Sequence, residues 1–426
     1  MANHTVQFPN LLSTRARQNV EGFLPKIATQ MAQRSSTTPP IDLSTAENKL
    51  IRVEVAEYLK QAVQNSFSAQ DLAYQKGFTG APQLVSALAG FFNGYFRPRQ
   101  PVLSAHIAAG PGAGALIDSF LRTVCNPGDG MLVLAPYWSG FHFQFEVNPN
   151  VRIHAVGGDL HCNDNPEQLL EKLNTALKDA TRTGRVAGLV CCNPHNPLGR
   201  CFPVSTLQML LQFCQANDLH FLSDEVYALS IYDSEDCVKP EPFVSVLSLD
   251  LPALGVDMHR VHVVWSASKD LGANGLRVGG FVSQAHPEII LGVALGTNMQ
   301  VSALSATAMT CLLSDNKALD RLITLSRTRL AESYCIVRQF FRLHRITYVP
   351  AYAGMFVWAR LLVTQSWDEE MELQRAIAVR GVAVSAGRDY ASEEPGWYRL
   401  SFGLEEEELK AALEKLGMAI GMVPRN

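Results

Sequence analysis

The sequence predicts an α/β protein, with a large mostly parallel sheet covered by helices and a smaller α+β unit towards the C-terminus. Three observations predict it. From residue 130 onward, short apolar runs of strand length alternate with helical patterns, as crossover-connected parallel strands require. Several of these runs end on polar residues, where open α/β sheets place their ligands. A long helical pattern over 318–345 then leads to short strand patterns within 346–362 and 381–402, and to a closing helix over 404–418.

Taken in order, residues 1–40 read as a polar N-terminal arm with one short helix near 11–32, ending in Ser35-Ser36-Thr37-Thr38-Pro39-Pro40. Residues 41–317 form mainly the large domain, with 41–75 able to contribute to the small one. Residues 318–426 form mainly the small domain. Glu47 and Asn48 lie on a turn before a helical pattern over 51–69. Gly77-Phe78-Thr79-Gly80-Ala81-Pro82 is a turn before a helix over 83–95. The run Ala108-Ala109-Gly110-Pro111-Gly112-Ala113-Gly114-Ala115 opens a helix over 116–124. Small residues at a helix start let backbone N–H groups approach a phosphate, although such a turn is more often a tight connection. Strands follow over 130–135, 186–192, 219–223, 261–265 and 278–283, with a helix over 204–216.

Composition excludes some functions. The 426 residues are 47% hydrophobic and 18% charged, as in ordinary globular proteins. A formal net charge of −4 leaves no electrostatic footprint for nucleic acid or an anionic membrane. No apolar run approaches membrane-spanning length. The nine cysteines lack CxxC pairs or metal spacing, so no metal site and a reducing, cytoplasmic compartment are expected. No signal peptide is read at the start.

The chemistry centres on Ser266-Ala267-Ser268-Lys269-Asp270-Leu271-Gly272, directly after the 261–265 run. A lysine after a strand is more often a solvated loop residue. A partly desolvated amine, however, becomes a nucleophile able to form an imine with an aldehyde cofactor. The hydroxyls of Ser266 and Ser268, and the fork of Arg277, suit a phosphate. An imine-forming lysine beside a phosphate clamp is what pyridoxal 5'-phosphate (PLP) needs. Asp224, at a strand end, suits the ring nitrogen, whose protonation makes the ring an electron sink. Asn196 and Tyr227 suit the ring oxygen, and Trp138 suits stacking on the ring. Gly112, Ala113 and Gly114 suit the phosphate through their amides.

On these residues the chain resembles a fold-type I PLP enzyme of the class I/II aminotransferase family, and within it the aminocyclopropane-carboxylate synthase-like branch. The resemblance rests on Ala46-Glu47-Asn48, Asn193-Pro194-His195-Asn196-Pro197-Leu198-Gly199, Ser223-Asp224-Glu225-Val226-Tyr227, the lysine segment with Arg277-Val278-Gly279, and Glu394-Pro395-Gly396-Trp397-Tyr398-Arg399. These run in the family's order over nearly the whole chain. The resemblance implies that Lys269 is the Schiff-base lysine and proton carrier, with Asp224 and Tyr227 tuning the cofactor. It implies that Arg399 clamps the substrate α-carboxylate, that Glu47 lies near the substrate, and that the protein is a homodimer acting on an amino acid. Transamination is the first outcome. Elimination at a β- or γ-substituent, with carbon–sulfur cleavage or cyclopropane formation, is the alternative, and an inactive regulatory protein is the second. Some family members process specialised metabolites. Two positions depart from the pattern. Ala113 stands where the family often has a hydroxyl residue. Phe78 stands where the synthase branch has a tyrosine reaching the partner's cofactor, leaving Tyr74 as the nearest substitute.

Overall fold

The computed structural model describes residues 12–34, 39–157 and 165–421. Its centre is a seven-stranded sheet. In spatial order the strands are Ile107–Gly110, Gly279–Val282, Val261–Ser266, His220–Asp224, Val186–Cys192, Gly130–Leu134 and Arg152–Val156. All neighbours pair in parallel except Gly279–Val282, which runs antiparallel to both of its partners.

Both faces are covered, so the central strands are apolar on both sides rather than alternating. Val261, Val263 and Trp265 pack into one apolar cluster, with helices Pro82–Tyr95 and Val204–Ala216. Val264 faces the opposite cluster, with Leu222, Phe281 and residues of helices Ala113–Val124 and Pro287–Thr297. This explains why 261–265 reads as an apolar run interrupted only by the buried His262.

A four-stranded antiparallel sheet forms the second layer, in the order Ser385–Ala386, Trp397–Ser401, Phe356–Arg360 and Thr347–Val349. Helices Asn316–His344, Trp367–Val379 and Glu406–Ile420 contribute Leu330, Phe341, Leu373, Ile377, Leu409 and Leu416 to its core. Ile41–Asp42 pairs in parallel with Val382–Ala383. Leu43, Ala46 and Leu50 pack into this same cluster. The segment that follows the N-terminal arm therefore crosses to the C-terminal core before the chain enters the large sheet.

The α/β class and the mostly parallel sheet hold. Several local expectations change. The helix expected near 11–32 in the arm spans Thr14–Arg34, 21 residues. Its Asn19 Nδ2 donates to the Val147 carbonyl at 2.8 Å, and Phe23 meets Phe143 edge-on. The Ile107–Gly110 strand was hidden, because Ile-Ala-Ala-Gly has no side-chain pattern distinct from the small-residue turn after it. Helix Pro287–Thr297 was also missed, since its sequence PEIILGVALGT carries no clear apolar stripe.

Phe281 tests the packing of the sheet on its helices. It is fully buried, with its ring 5.3 Å from Phe120 and 5.7 Å from the His262 ring, centroid to centroid. Phe281→Ala is expected to cost about 3–5 kcal/mol. The check is a drop in the urea midpoint by far-ultraviolet circular dichroism.

Candidate active site

Lys269 sits on a single helical turn, Ala267–Asp270, immediately after strand Val261–Ser266. The next side chain fixes that turn. The buried carboxylate of Asp270 accepts hydrogen bonds from Trp265 Nε1 (2.9 Å), Ser230 Oγ (2.6 Å) and the Leu229 N–H (3.2 Å). It thus joins the lysine turn to the strand it leaves and to the segment just after Tyr227. Burial outweighs these donors and pushes the Asp270 carboxyl up to about 6.

The Lys269 amine donates to the Ala46 carbonyl at 2.7 Å. Burial is the main cause that lowers its pKa to about 8; the Arg399 and Arg277 charges add to it, while Glu47 and Asp224 oppose it. Lys269 and Trp138 border two cavities of about 280 and 320 Å³.

The first cavity is lined by Asp224, Asn196, Tyr227, Ser266, Ser268 and Arg277, with Ala113 and Gly114. Asp224 ends strand His220–Asp224. Burial raises its carboxyl to about 7, against one weak donor, the Val226 N–H at 3.4 Å, and the nearby Lys269 charge. A buried carboxylate with so few donors is suited to a cationic group. At the other end, Arg277 takes a left-handed backbone (φ 55). Its guanidinium donates to the Pro111 and Asn274 carbonyls at 2.8 and 2.9 Å. Gly112 has φ 88, and a Cβ there would meet the Arg277 guanidinium at 2.7 Å. The close approach of this turn to Arg277 therefore depends on glycine. Gly112's own N–H donates to the Gly110 carbonyl at 2.8 Å. The first N–H groups of helix Ala113–Val124 have no intrahelical acceptor. A carboxylate at one end and a cradle of amides, hydroxyls and guanidinium at the other fit a pyridine ring carrying a phosphate.

The second cavity holds Arg399, on strand Trp397–Ser401. Arg399 is 2% exposed. One Nη donates to Asn196 Oδ1 at 3.1 Å and the other to the Ser44 carbonyl, while Nε has no partner. The guanidinium lies 5.3 Å from the Phe356 ring and 5.2 Å from that of Tyr390. Among the described residues no carboxylate forms an ion pair with it. A buried guanidinium without a counter-ion is a receptor for an anion from outside.

Two sequence candidates are not brought to these cavities. The Glu47 carboxylate is taken by Arg52 (2.6 Å) and Asn274 Nδ2 (2.6 Å), and it lines neither cavity. Tyr74 is 88% exposed and borders a separate cavity of about 740 Å³. Other residues emerge only from the tertiary structure. Gln144 and Cys192 line the first cavity, and Tyr390 and Ser385 the second. None lies in a motif of its own, so no sequence signal singled them out. Among the described residues no group of histidine, cysteine and carboxylate side chains is arranged to hold a metal ion.

Comparison with known proteins supplies the family. The model for aminotransferase class I and II matches residues 38–416. The chain belongs to that family. It is 38% identical over 416 residues to a probable aminotransferase, aclI, of Aspergillus oryzae, covering 96% of this chain and 98% of that one. It is 37% identical to a probable aminotransferase, gliI, of Aspergillus fumigatus, covering 97% and 96%. The fold matches an aspartate aminotransferase mutant of Thermus thermophilus, with TM-score 0.77 and 20% identity, over 96% of this chain and 99% of that one. These findings correct the expected branch. A probable inactive aminocyclopropane-carboxylate synthase-like protein of Mus musculus matches at only 30%, over 88% of this chain and 65% of its own length. Family membership implies PLP.

The lowered Lys269 pKa gives a pH prediction. The neutral amine is the nucleophile, and it becomes the major form above about 8 rather than above the usual lysine value. In cofactor-free protein, the rate of PLP attachment is expected to rise with pH up to about 8 and then level. Stopped-flow absorbance of the imine band measures it.

Proposed function

We propose that this protein is a PLP-dependent aminotransferase that holds its amino acid substrate through Arg399. The observation that carries the reading is the position of Lys269 on the wall of both cavities. One amine borders both the cofactor-shaped space and the space containing the uncompensated arginine.

When bound, PLP supplies a protonated ring that accepts the electron pair left by the departing α-proton. Asp224 would hold the proton on the ring nitrogen. Asn196 and Tyr227 would bind the ring oxygen, and Trp138 would stack on the ring. Ser266, Ser268, Arg277 and the N–H groups of Ala113 and Gly114 would hold the phosphate, with Gly112 supplying the turn. Lys269 would hold the cofactor through its amine. Its neutral Nζ would be the base that accepts the proton leaving the substrate α-carbon. Arg399 would fix the substrate α-carboxylate and so orient the α-carbon for removal of its proton. The test is a product screen with candidate amino acids, with and without a 2-oxo acid acceptor. Transamination yields oxo acid from the donor and new amino acid from the acceptor. Ammonia or thiol released without acceptor would make a lyase of it.

The assembly we propose is a homodimer. Leu72, Tyr74, Leu295 and Met299 are 59–88% exposed. Gln75 Nε2 bonds to the Val301 carbonyl at 3.3 Å, which ties the 72–75 segment to the end of the 287–301 region. Apolar side chains so exposed suit burial by a second copy. Leu295→Asp combined with Met299→Asp is expected to give a monomeric mass by light scattering, where the unaltered chain gives a dimer.

Arg399→Lys keeps the charge and loses the fork. It is expected to raise KM and lower kcat together, a loss of about 2–4 kcal/mol in transition-state binding. Comparing kcat/KM for an amino acid and its decarboxylated amine is the check. Equal losses for both would mean that Arg399 supports the fold and does not read a carboxylate.

A further inference from the structure

The second cavity also bears on which amino acid enters it. Its wall comes from three stretches: residues 39–46, residues 138–140 and the 383–399 region, with Lys269 at the floor. Only three of the lining side chains are charged at neutral pH: Lys269, Arg399 and Asp42. In the reading above, Lys269 is committed to the cofactor and Arg399 to the α-carboxylate. What remains for the substrate side chain is one negative charge, Asp42, among the hydroxyls of Ser139, Ser385 and Tyr390.

Asp42 is not a free acid waiting for a proton. Its Oδ1 accepts from the Ser44 N–H (2.8 Å), Ser44 Oγ (2.5 Å) and the Thr45 N–H (3.0 Å), and its Oδ2 from Thr45 Oγ1 (2.7 Å). Burial acts to raise its pKa, but these donors outweigh it and hold the carboxyl below its ordinary value. The same turn leads to the Ser44 carbonyl that accepts from Arg399. The Asp42 charge is thus fixed beside the substrate, with its acceptor positions already filled.

We propose that this cavity takes amino acids with uncharged, hydrogen-bonding side chains and disfavours those with a second carboxylate, with Asp42 as the determinant. The inference rests on the roles proposed above for Lys269 and Arg399. A distal carboxylate in this space faces a like charge and finds no described cation left to pair with. That costs more in a cavity than in water, because screening is weaker there. An amide of the same shape carries no such penalty and can bond to the hydroxyls.

Isosteric pairs supply the experiment. With PLP-loaded enzyme, kcat/KM is measured for asparagine against aspartate and for glutamine against glutamate, alongside the shift of the cofactor absorption on adding each. We expect the amides to exceed the acids by about ten-fold or more. In Asp42→Asn, which keeps an oxygen for the Ser44 and Thr45 N–H groups, we expect that ratio to fall several-fold. Equal or better use of the acids by unaltered enzyme would overturn the inference alone, and would point to a cation from a second chain. An unchanged ratio in Asp42→Asn would overturn Asp42 as the determinant. Absence of any absorption change with all four amino acids would overturn this inference, while the product screen above decides the aminotransferase reading.

Discussion

The carboxylate of Asp270 is the contact on which the site depends. Three donors converge on it from two places: an indole on the central strand, and a serine hydroxyl and a backbone N–H from the segment after Tyr227. Each alone is an ordinary hydrogen bond. Together they convert a short turn, which has too few internal bonds to hold its own shape, into a rigid platform for Lys269. Burial works against the carboxylate, and its pKa near 6 records that the donors offset this only in part. The platform therefore needs every one of its donors, because an unpaired group in that setting is costly.

From that platform the electrostatics follow. Lys269 lies close to Arg399 on one side and to Asp224 on the other, within a space mostly closed to water. Arg399 favours the neutral amine and Asp224 the charged one, with burial tipping the balance towards neutral. Asp224 is moved the other way, because burial disfavours its charge and few donors oppose that. The two shifts bring an amine and an acid towards each other on the pH scale. Sites that move protons near neutrality are built this way. The arginine is left without a counter-ion, so an incoming carboxylate would complete a charge pair.

The arrangement also explains why the chain crosses between two cores. Ala46 offers its carbonyl to Lys269 and Ser44 offers its carbonyl to Arg399. Both belong to the segment that pairs with Val382–Ala383 and packs on the small sheet. A single stretch of backbone touches both Lys269 and Arg399. Any movement of the small sheet against the large one would be felt by both groups at once.

Much of this was legible in the sequence. The apolar run before Lys269 marks a strand buried on two faces, and the polar residues that end several runs mark strand ends, where parallel sheets collect ligands. Lys269, Asp224, Asn196, Tyr227, Arg277 and Arg399 were readable because each stands in a short local pattern. Other features were settled by the tertiary structure alone. The antiparallel Gly279–Val282 strand, the place of Gln144 in the wall of the first cavity and the hold of Asn274 on Glu47 depend on contacts between distant segments. The charge left over in the second cavity is of the same kind. Asp42 and Arg399 are separated by most of the chain, and a sequence pattern reports periodicity and neighbours along the backbone. It carries no distances across space, and the balance of charge in a cavity is a matter of distance.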